Sequence, residues 1–348
     1  MHRVIGERAP SGIDGELARS LLRSMVRARV FDERAVSLQR RGWMSGYPPF
    51  EGAEASQVGA ATAMADEDVL VPTYRSNAMQ LARGVPMADI LRFRRGFPEY
   101  GSGHDVPVFP QSITIATGIP QAVGIGMAAT HRDTGEAVLC YFGDGATSEG
   151  DFHEGLNVAG VFDAPVVFFC ENNGWAISTP EPRQTASGTI TQKADAYGIG
   201  RKRVDGNDPI AVYETVREAL SAARAGLPVL VESLTHRRGP HTTSDDPSRY
   251  RDRASFPEWR TADPIERFEA YLLSGDVLDA DLVQSVRAAV EDELDAAVQE
   301  AERATRDPED LFEWAYAEAT PALDRQREAI REWLDRHDDP YGNENQNE

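Results

Sequence analysis

Lysine is nearly missing from this chain of 348 residues: only Lys193 and Lys202 occur, so of 36 basic residues 34 are arginine. Acidic residues outnumber basic ones. Asp and Glu number 57, for a net charge of −21. That balance speaks against nucleic acid as a partner, because neutralising phosphates requires a basic face. Cysteine is limited to Cys140 and Cys170, too few for a disulfide framework. Both lie in apolar runs and read as buried thiols of a cytosolic protein. No run approaches the ~18 apolar residues of a membrane helix, so no membrane role is expected. Arg and Glu interrupt the first thirty residues, where a signal peptide would need an apolar stretch. A cytoplasmic location is therefore expected. An acidic, lysine-poor composition also fits a cytoplasm at very high salt, where self-repulsion is screened. A GC-rich genome that favours arginine codons is the alternative reading.

At ~100–200 residues per domain the length allows one large domain or two small ones. Hydrophobic periodicity predicts a helix over 14–40, with Leu17, Leu21, Val26 and Phe31 on one face. A stretch rich in Gly, Pro and aromatics, Arg41 to Phe50, breaks it. Buried strands are expected at Asp68–Pro72, Ala137–Phe142, Pro165–Cys170 and Pro228–Ser233. Helical segments are expected at Gly52–Met64, Pro120–Thr130, Glu149–Phe162 and Pro209–Ala225. Short apolar strands alternating with helices argue for a doubly wound, mainly parallel α/β sheet covered on both faces. The expected organisation is an N-terminal helical arm over 1–40, a ligand-binding domain over 41–250, a helical C-terminal extension over 251–335 and a disordered tail over 336–348. The tail has nothing to bury.

The segment Ala137 to Thr179 carries the chemistry. A buried strand ends in Gly143-Asp144-Gly145, and a helix opens after Thr147-Ser148-Glu149-Gly150, with Ser148 or Thr147 placed to cap it. The next buried strand ends in Glu171-Asn172-Asn173-Gly174. Asp144 and Asn173 thus stand at the carboxyl ends of two parallel strands, the edge where open α/β sheets bind ligands. Their hard oxygens suit Mg²⁺, which takes one or two protein side chains plus phosphate oxygens. A helix N-terminus beside them favours an anion. A strand-end GDG alone is a common turn; followed after 26 residues by NN it is far more specific. A P-loop, HExxH, GxSxG and a strand-following GxGxxG are all absent.

These motifs resemble the diphosphate–magnesium signature of thiamin diphosphate enzymes. GDGATSEGDFHEGLNVAGVFDAPVVFFCENNGWAISTP, RVDGNDPIAVYETVREA, HRRGPHTTSDDPSRYR, PTYRSNA and TGIPQAVGIG narrow the likeness. Together they resemble the alpha subunit of the decarboxylating component of 2-oxo acid dehydrogenase complexes, over about residues 15–335. The resemblance implies a thiamin-diphosphate-binding fold. It implies Mg²⁺ held by the Asp144 and Asn173 side chains and the Trp175 carbonyl, a position often filled by Tyr or Phe. Gly143, Gly145 and Ala146 would line the diphosphate; Tyr74, Arg75 and Arg237 would contact its phosphates; Ile115 would touch the cofactor nearer its rings. His241 would assist acyl transfer or bind the substrate carboxylate. Glu54 fits the family pattern without an assigned role, and His153 and His104 read as structural or surface residues.

One α/β domain accounts for only half of such a site. The resemblance implies a beta subunit supplying the other half in an α2β2 heterotetramer, with acyl transfer to lipoyl groups on an acyltransferase core. Pyruvate and branched-chain 2-oxo acids are equal candidates as substrate. An acetoin dehydrogenase alpha subunit and a non-catalytic regulatory module that binds Mg²⁺-diphosphate are the alternatives.

Overall fold

The computed structural model describes residues 1–251, 256–278, 281–305, 308–313 and 315–337. The chain divides into two compact units, Met1–Ala301 and Glu302–Glu348. From residue 338 onward the expected tail lies outside the described residues.

In the first unit, helix α1 (Gly15–Arg40) starts where Asp14 accepts hydrogen bonds from the Glu16 and Leu17 amides. Glu16 in its first turn and Arg40 in its last complement the helix dipole. Further helices follow: α2 (Glu54–Thr62), α3 (Asn77–Arg83), α4 (Met87–Arg94), α5 (Gly118–Arg132), α6 (Gly150–Phe162) and α7 (Pro209–Arg224). They alternate with β1 (Val69–Val71), β2 (Val138–Gly143), β3 (Val166–Asn172), the hairpin β4 (Trp175–Ala176) and β5 (Thr179–Pro180), β6 (Gly200–Asp205) and β7 (Val229–Leu234). The main sheet has the order β1-β2-β3-β7-β6 and is parallel throughout.

Alternate strand residues feed two cores. Val138, Cys140, Phe142, Val166, Phe168 and Cys170 pack with residues of α5 and α6. Leu139, Tyr141, Val167, Phe169, Val229 and Val231 pack on the other face with α1, α2, α3 and α7. Burial on both faces explains why these strands read as unbroken apolar runs.

β6 is absent from the sequence expectations, and the reason is physical. It is an edge strand whose Arg201, Lys202 and Arg203 are exposed or half-buried, so it lacks the apolar run that identifies its neighbours. The N-terminal arm covers its free edge: the His2 amide donates to Arg203 O and Asp205 N donates to His2 O. Asp208 holds that arm by accepting from the Val4 and Ile5 amides at 2.7 and 2.6 Å while also capping α7.

After β7 come α8 (Glu258–Thr261), α9 (Pro264–Leu273) and α10 (Leu282–Glu302), and Val290, Leu294 and Val298 of α10 join the larger core. The buried Arg29 on α1 pairs with Glu54 at 2.5 Å and Asp263 at 2.9 Å, stitching α1, α2 and α9 together. Removing one member of a buried ion network leaves uncompensated charge. Arg29→Met should therefore cost roughly 3 kcal/mol, read as a lowered midpoint in urea; an unchanged midpoint would refute the assignment. In the second unit, α11 (Asp310–Glu313) precedes α12 (Pro321–Leu334), and Glu309 pairs with Arg327 and Arg331. Among the described residues no helix is long and apolar enough to cross a membrane.

Candidate active site

The carboxyl ends of β1, β2 and β3 open into a cavity of about 630 Å³. β2 runs out into Gly143 and then a short 3₁₀ turn, Asp144–Ser148, before α6 begins. The cap expected from Ser148 or Thr147 does not form. Glu149 holds the N-cap position without a side-chain bond, because the 3₁₀ turn carries Thr147 back to bond the Asp144 carbonyl at 2.9 Å. Asp151 does sit in the first turn of α6. Lys193 braces the turn from behind, donating to Thr147 O at 2.7 Å and to its hydroxyl at 3.1 Å.

The residues that the sequence assigns to the cofactor, the metal and catalysis meet here. Gly143, Asp144, Gly145 and Ala146 form one wall, with Asn173 and Trp175 beside them from the end of β3. Tyr74, Arg75, Ile115, Arg237 and His241 line the rest. Gly145 is required by close packing, since a Cβ there would stand 2.9 Å from the Ala176 Cβ. Gly143 is different. Its φ of −85° suits any residue and a Cβ would meet nothing within 4 Å, so no protein atom demands a glycine. Facing the cavity, it leaves room for a close ligand.

The charges are separated and unpaired. Asp144 is 1% exposed, and no basic group lies within ion-pair distance of it among the described residues. Its polar partner is a neutral one, the Gln184 amide, at 2.8 Å. Burial pushes its carboxyl up to about 6. Arg75 and Arg237 are 6% and 4% exposed, and neither forms an ion pair among the described residues. Burial lowers the Arg237 guanidinium, and Arg75 adds to the effect. Arg75 donates to Pro49 O at 2.6 Å and His241 O at 2.7 Å; Arg237 donates to Ile177 O at 2.7 Å and the Tyr250 hydroxyl at 2.8 Å. Two buried guanidiniums call for an anion, and a buried carboxylate calls for a cation.

Among the described residues no three His, Cys, Asp or Glu side chains gather into a metal site. A cation here would therefore rely on Asp144, the Asn173 amide oxygen, the Trp175 carbonyl and oxygens of its own ligand. That all-oxygen, singly charged set suits a hard divalent ion carrying phosphate. Asn173 is preorganised, accepting from the Trp175 amide at 3.1 Å. Arg260, which the sequence did not single out, steadies the strand end by donating to Asn172 O at 2.9 Å and Thr235 O at 2.7 Å.

His241 accompanies the arginines. Its Nδ1 lies 3.0 Å from Arg75 Nη2 and 3.5 Å from Arg237 Nη1. Burial, then Arg75 and Arg237, push its pKa down to about 4, so the ring is neutral. With two donors facing Nδ1, the proton must reside on Nε2. The other residues weighed lie elsewhere. His153 bonds the Tyr197 hydroxyl at 2.7 Å, His104 lies 3.9 Å from Asp89, and Glu54 is committed to Arg29.

The family described as "Dehydrogenase E1 component" matches residues 22–309. Over 333 residues, 93% of this chain and 89% of the relative, the chain is 43% identical to the 3-methyl-2-oxobutanoate dehydrogenase subunit alpha of Mycobacterium tuberculosis. It is 37% identical over 333 residues to the pyruvate dehydrogenase E1 component subunit alpha of Bacillus cereus, covering 94% and 90% of the two chains. The Staphylococcus aureus protein of the same name is 36% identical over 338 residues, again covering 94% and 90%.

Proposed function

The chain belongs to the dehydrogenase E1 component family, as an alpha-type subunit of a 2-oxo acid dehydrogenase, and on that premise we propose that its cavity holds the diphosphate end of thiamin diphosphate through Mg²⁺. The family uses thiamin diphosphate, and its alpha subunits work with beta subunits and a complex core. One observation carries the proposal: two buried arginines face a buried aspartate across one cavity, and none of the three has an ion-pair partner among the described residues. A metal diphosphate complements both at once.

Asp144, Asn173 and the Trp175 carbonyl would hold the ion; Gly143, Gly145 and Ala146 would flank the diphosphate; Tyr74, Arg75 and Arg237 would meet its oxygens. Ile115, on the exposed side of the cavity, would contact the cofactor further from the phosphates. When bound, thiamin diphosphate would supply a nucleophilic carbon on a thiazolium ring, with the ring as the electron sink for decarboxylation. The protein's share is orientation and charge. His241, neutral with its proton on Nε2, donates a hydrogen bond toward substrate oxygens. The beta subunit would complete the site in an α2β2 assembly and pass the acyl group to lipoyl arms of the core.

For the substrate, the higher identity to the 3-methyl-2-oxobutanoate enzyme, 43% against 36–37%, favours a branched-chain 2-oxo acid over pyruvate. The test is co-expression with a beta-type subunit and an assay of both acids with an artificial electron acceptor. Turnover should require both chains, thiamin diphosphate and Mg²⁺, and be faster with 3-methyl-2-oxobutanoate. Pyruvate preference would reverse the substrate assignment. Binding of the cofactor without turnover of either acid would reject the decarboxylase reading.

A further inference from the structure

Gln184 follows the turn Glu181–Arg183 and lies forty positions along the chain from Asp144. Its side-chain nitrogen donates to Asp144 Oδ2 at 2.8 Å and to the Thr179 carbonyl at 3.0 Å. Both neighbours accept hydrogen bonds, so the nitrogen, not the oxygen, must face them. Both amide protons are then used and the group cannot turn. The amide's own oxygen is buried with no hydrogen-bond partner among the described residues. An unpaired buried acceptor is unfavourable, yet the amide is held there. A second tie joins the same two segments: the Ser148 hydroxyl donates to Gln184 O at 3.2 Å.

We infer that Gln184 is a positioning residue for the metal ion, its neutral amide fixing one oxygen of Asp144 while leaving the carboxylate's charge for the cation. This rests on the Mg²⁺ reading above. Charge is the reason for an amide. An arginine or lysine in its place would form an ion pair with Asp144 and compete with a divalent cation for the same charge. A neutral donor orients without neutralising. Partners that orient a metal ligand in this way commonly govern 10–100-fold in affinity.

The experiment uses the assembled complex with a beta-type subunit, loaded with thiamin diphosphate and titrated with Mn²⁺, whose EPR signal reads binding without turnover. Gln184→Met keeps the length of the side chain and removes the donor. Its Mn²⁺ Kd should rise about 10-fold or more, with a parallel rise in the KM for Mg²⁺ and kcat at saturating Mg²⁺ reduced by less than about threefold. Ser148→Ala cuts the other tie and should leave the Kd within about twofold, because it does not touch the carboxylate. Should Gln184→Met fail to assemble, Gln184→Leu removes the same donor and carries the same expectation. A Kd unchanged by loss of the amide overturns the inference. An equal rise in Ser148→Ala overturns it too, since the lacing of the two segments would then set the affinity. Asp144→Ala separates this from the underlying reading: retained Mn²⁺ binding there strikes the metal site itself, whereas lost binding beside an unchanged Gln184→Met strikes only the role of Gln184.

Discussion

Asp144→Ala is expected to yield a folded subunit that no longer retains thiamin diphosphate. Asp144 is the one carboxylate in the donor set, and the Asn173 amide and Trp175 carbonyl are neutral. Without it the cation has no protein charge to offset its lost hydration. Removing one partner of a buried charge pair costs on the order of 3–5 kcal/mol, which corresponds to at least a 10²-fold rise in cofactor Kd. Quenching of intrinsic fluorescence during cofactor titration with Mg²⁺ reads this directly. The fold should survive, because Asp144 lies beyond the last β2–β3 pair, Gly143 with Glu171, and its side chain bonds Gln184 rather than a strand of the sheet. Far-ultraviolet circular dichroism should match the parent. A Kd within threefold of the parent would remove Asp144 from the site.

His241→Ala should produce the opposite pattern, with the cofactor bound and turnover lost. The ring lies beside Arg75 and Arg237 but supplies neither charge nor metal ligand, so cofactor Kd should change by less than about threefold. Loss of a preorganised hydrogen-bond donor typically lowers kcat about 10²–10³-fold. The pH profile adds a second check. His241 is pushed down to about 4, below the usual histidine range, so it is neutral from pH 5 upward. Protonation therefore removes its acceptor at Nδ1 only as pH falls toward 4, and no inflection near 6.5 should depend on this residue. The same shift links to stability. The unfolded chain binds the proton more readily than the folded one, so His241 contributes stability that is complete above about 6.5 and lost as pH falls toward 4. An inflection near 6.5 that vanishes in His241→Ala would mean that the ring titrates in the open and does not sit between the arginines.

Much of this was legible in the sequence wherever one residue's environment is dictated locally. The apolar runs behind β1, β2, β3 and β7 fit strands buried on both faces, which carry hydrophobic side chains at both parities. Gly143-Asp144-Gly145 and Asn172-Asn173 could be placed at neighbouring strand ends because each directly follows such a run. The edge strand β6 was illegible for the converse reason: at the margin of the sheet and partly open to water, it carries Arg201 and Lys202 where β7 carries Leu230 and Val231. The Ser148 cap failed because local propensity cannot see that the preceding turn winds tightly around Asp144.

Only the tertiary structure decided the relations among charges. From the sequence, Arg237 beside Arg238 is indistinguishable from a solvated basic pair. In the fold Arg237 is buried in the cavity wall, while Arg238 turns to Glu51 and Asp263. The neutral state of His241 arises from burial and from two arginines, one of them 166 residues away in the chain. Gln184 acquires its meaning solely from a contact across 40 residues. Hydrophobic patterning is a property of the chain itself and can be read one residue at a time; the field at a buried charge depends on which distant groups folding brings within a few ångströms.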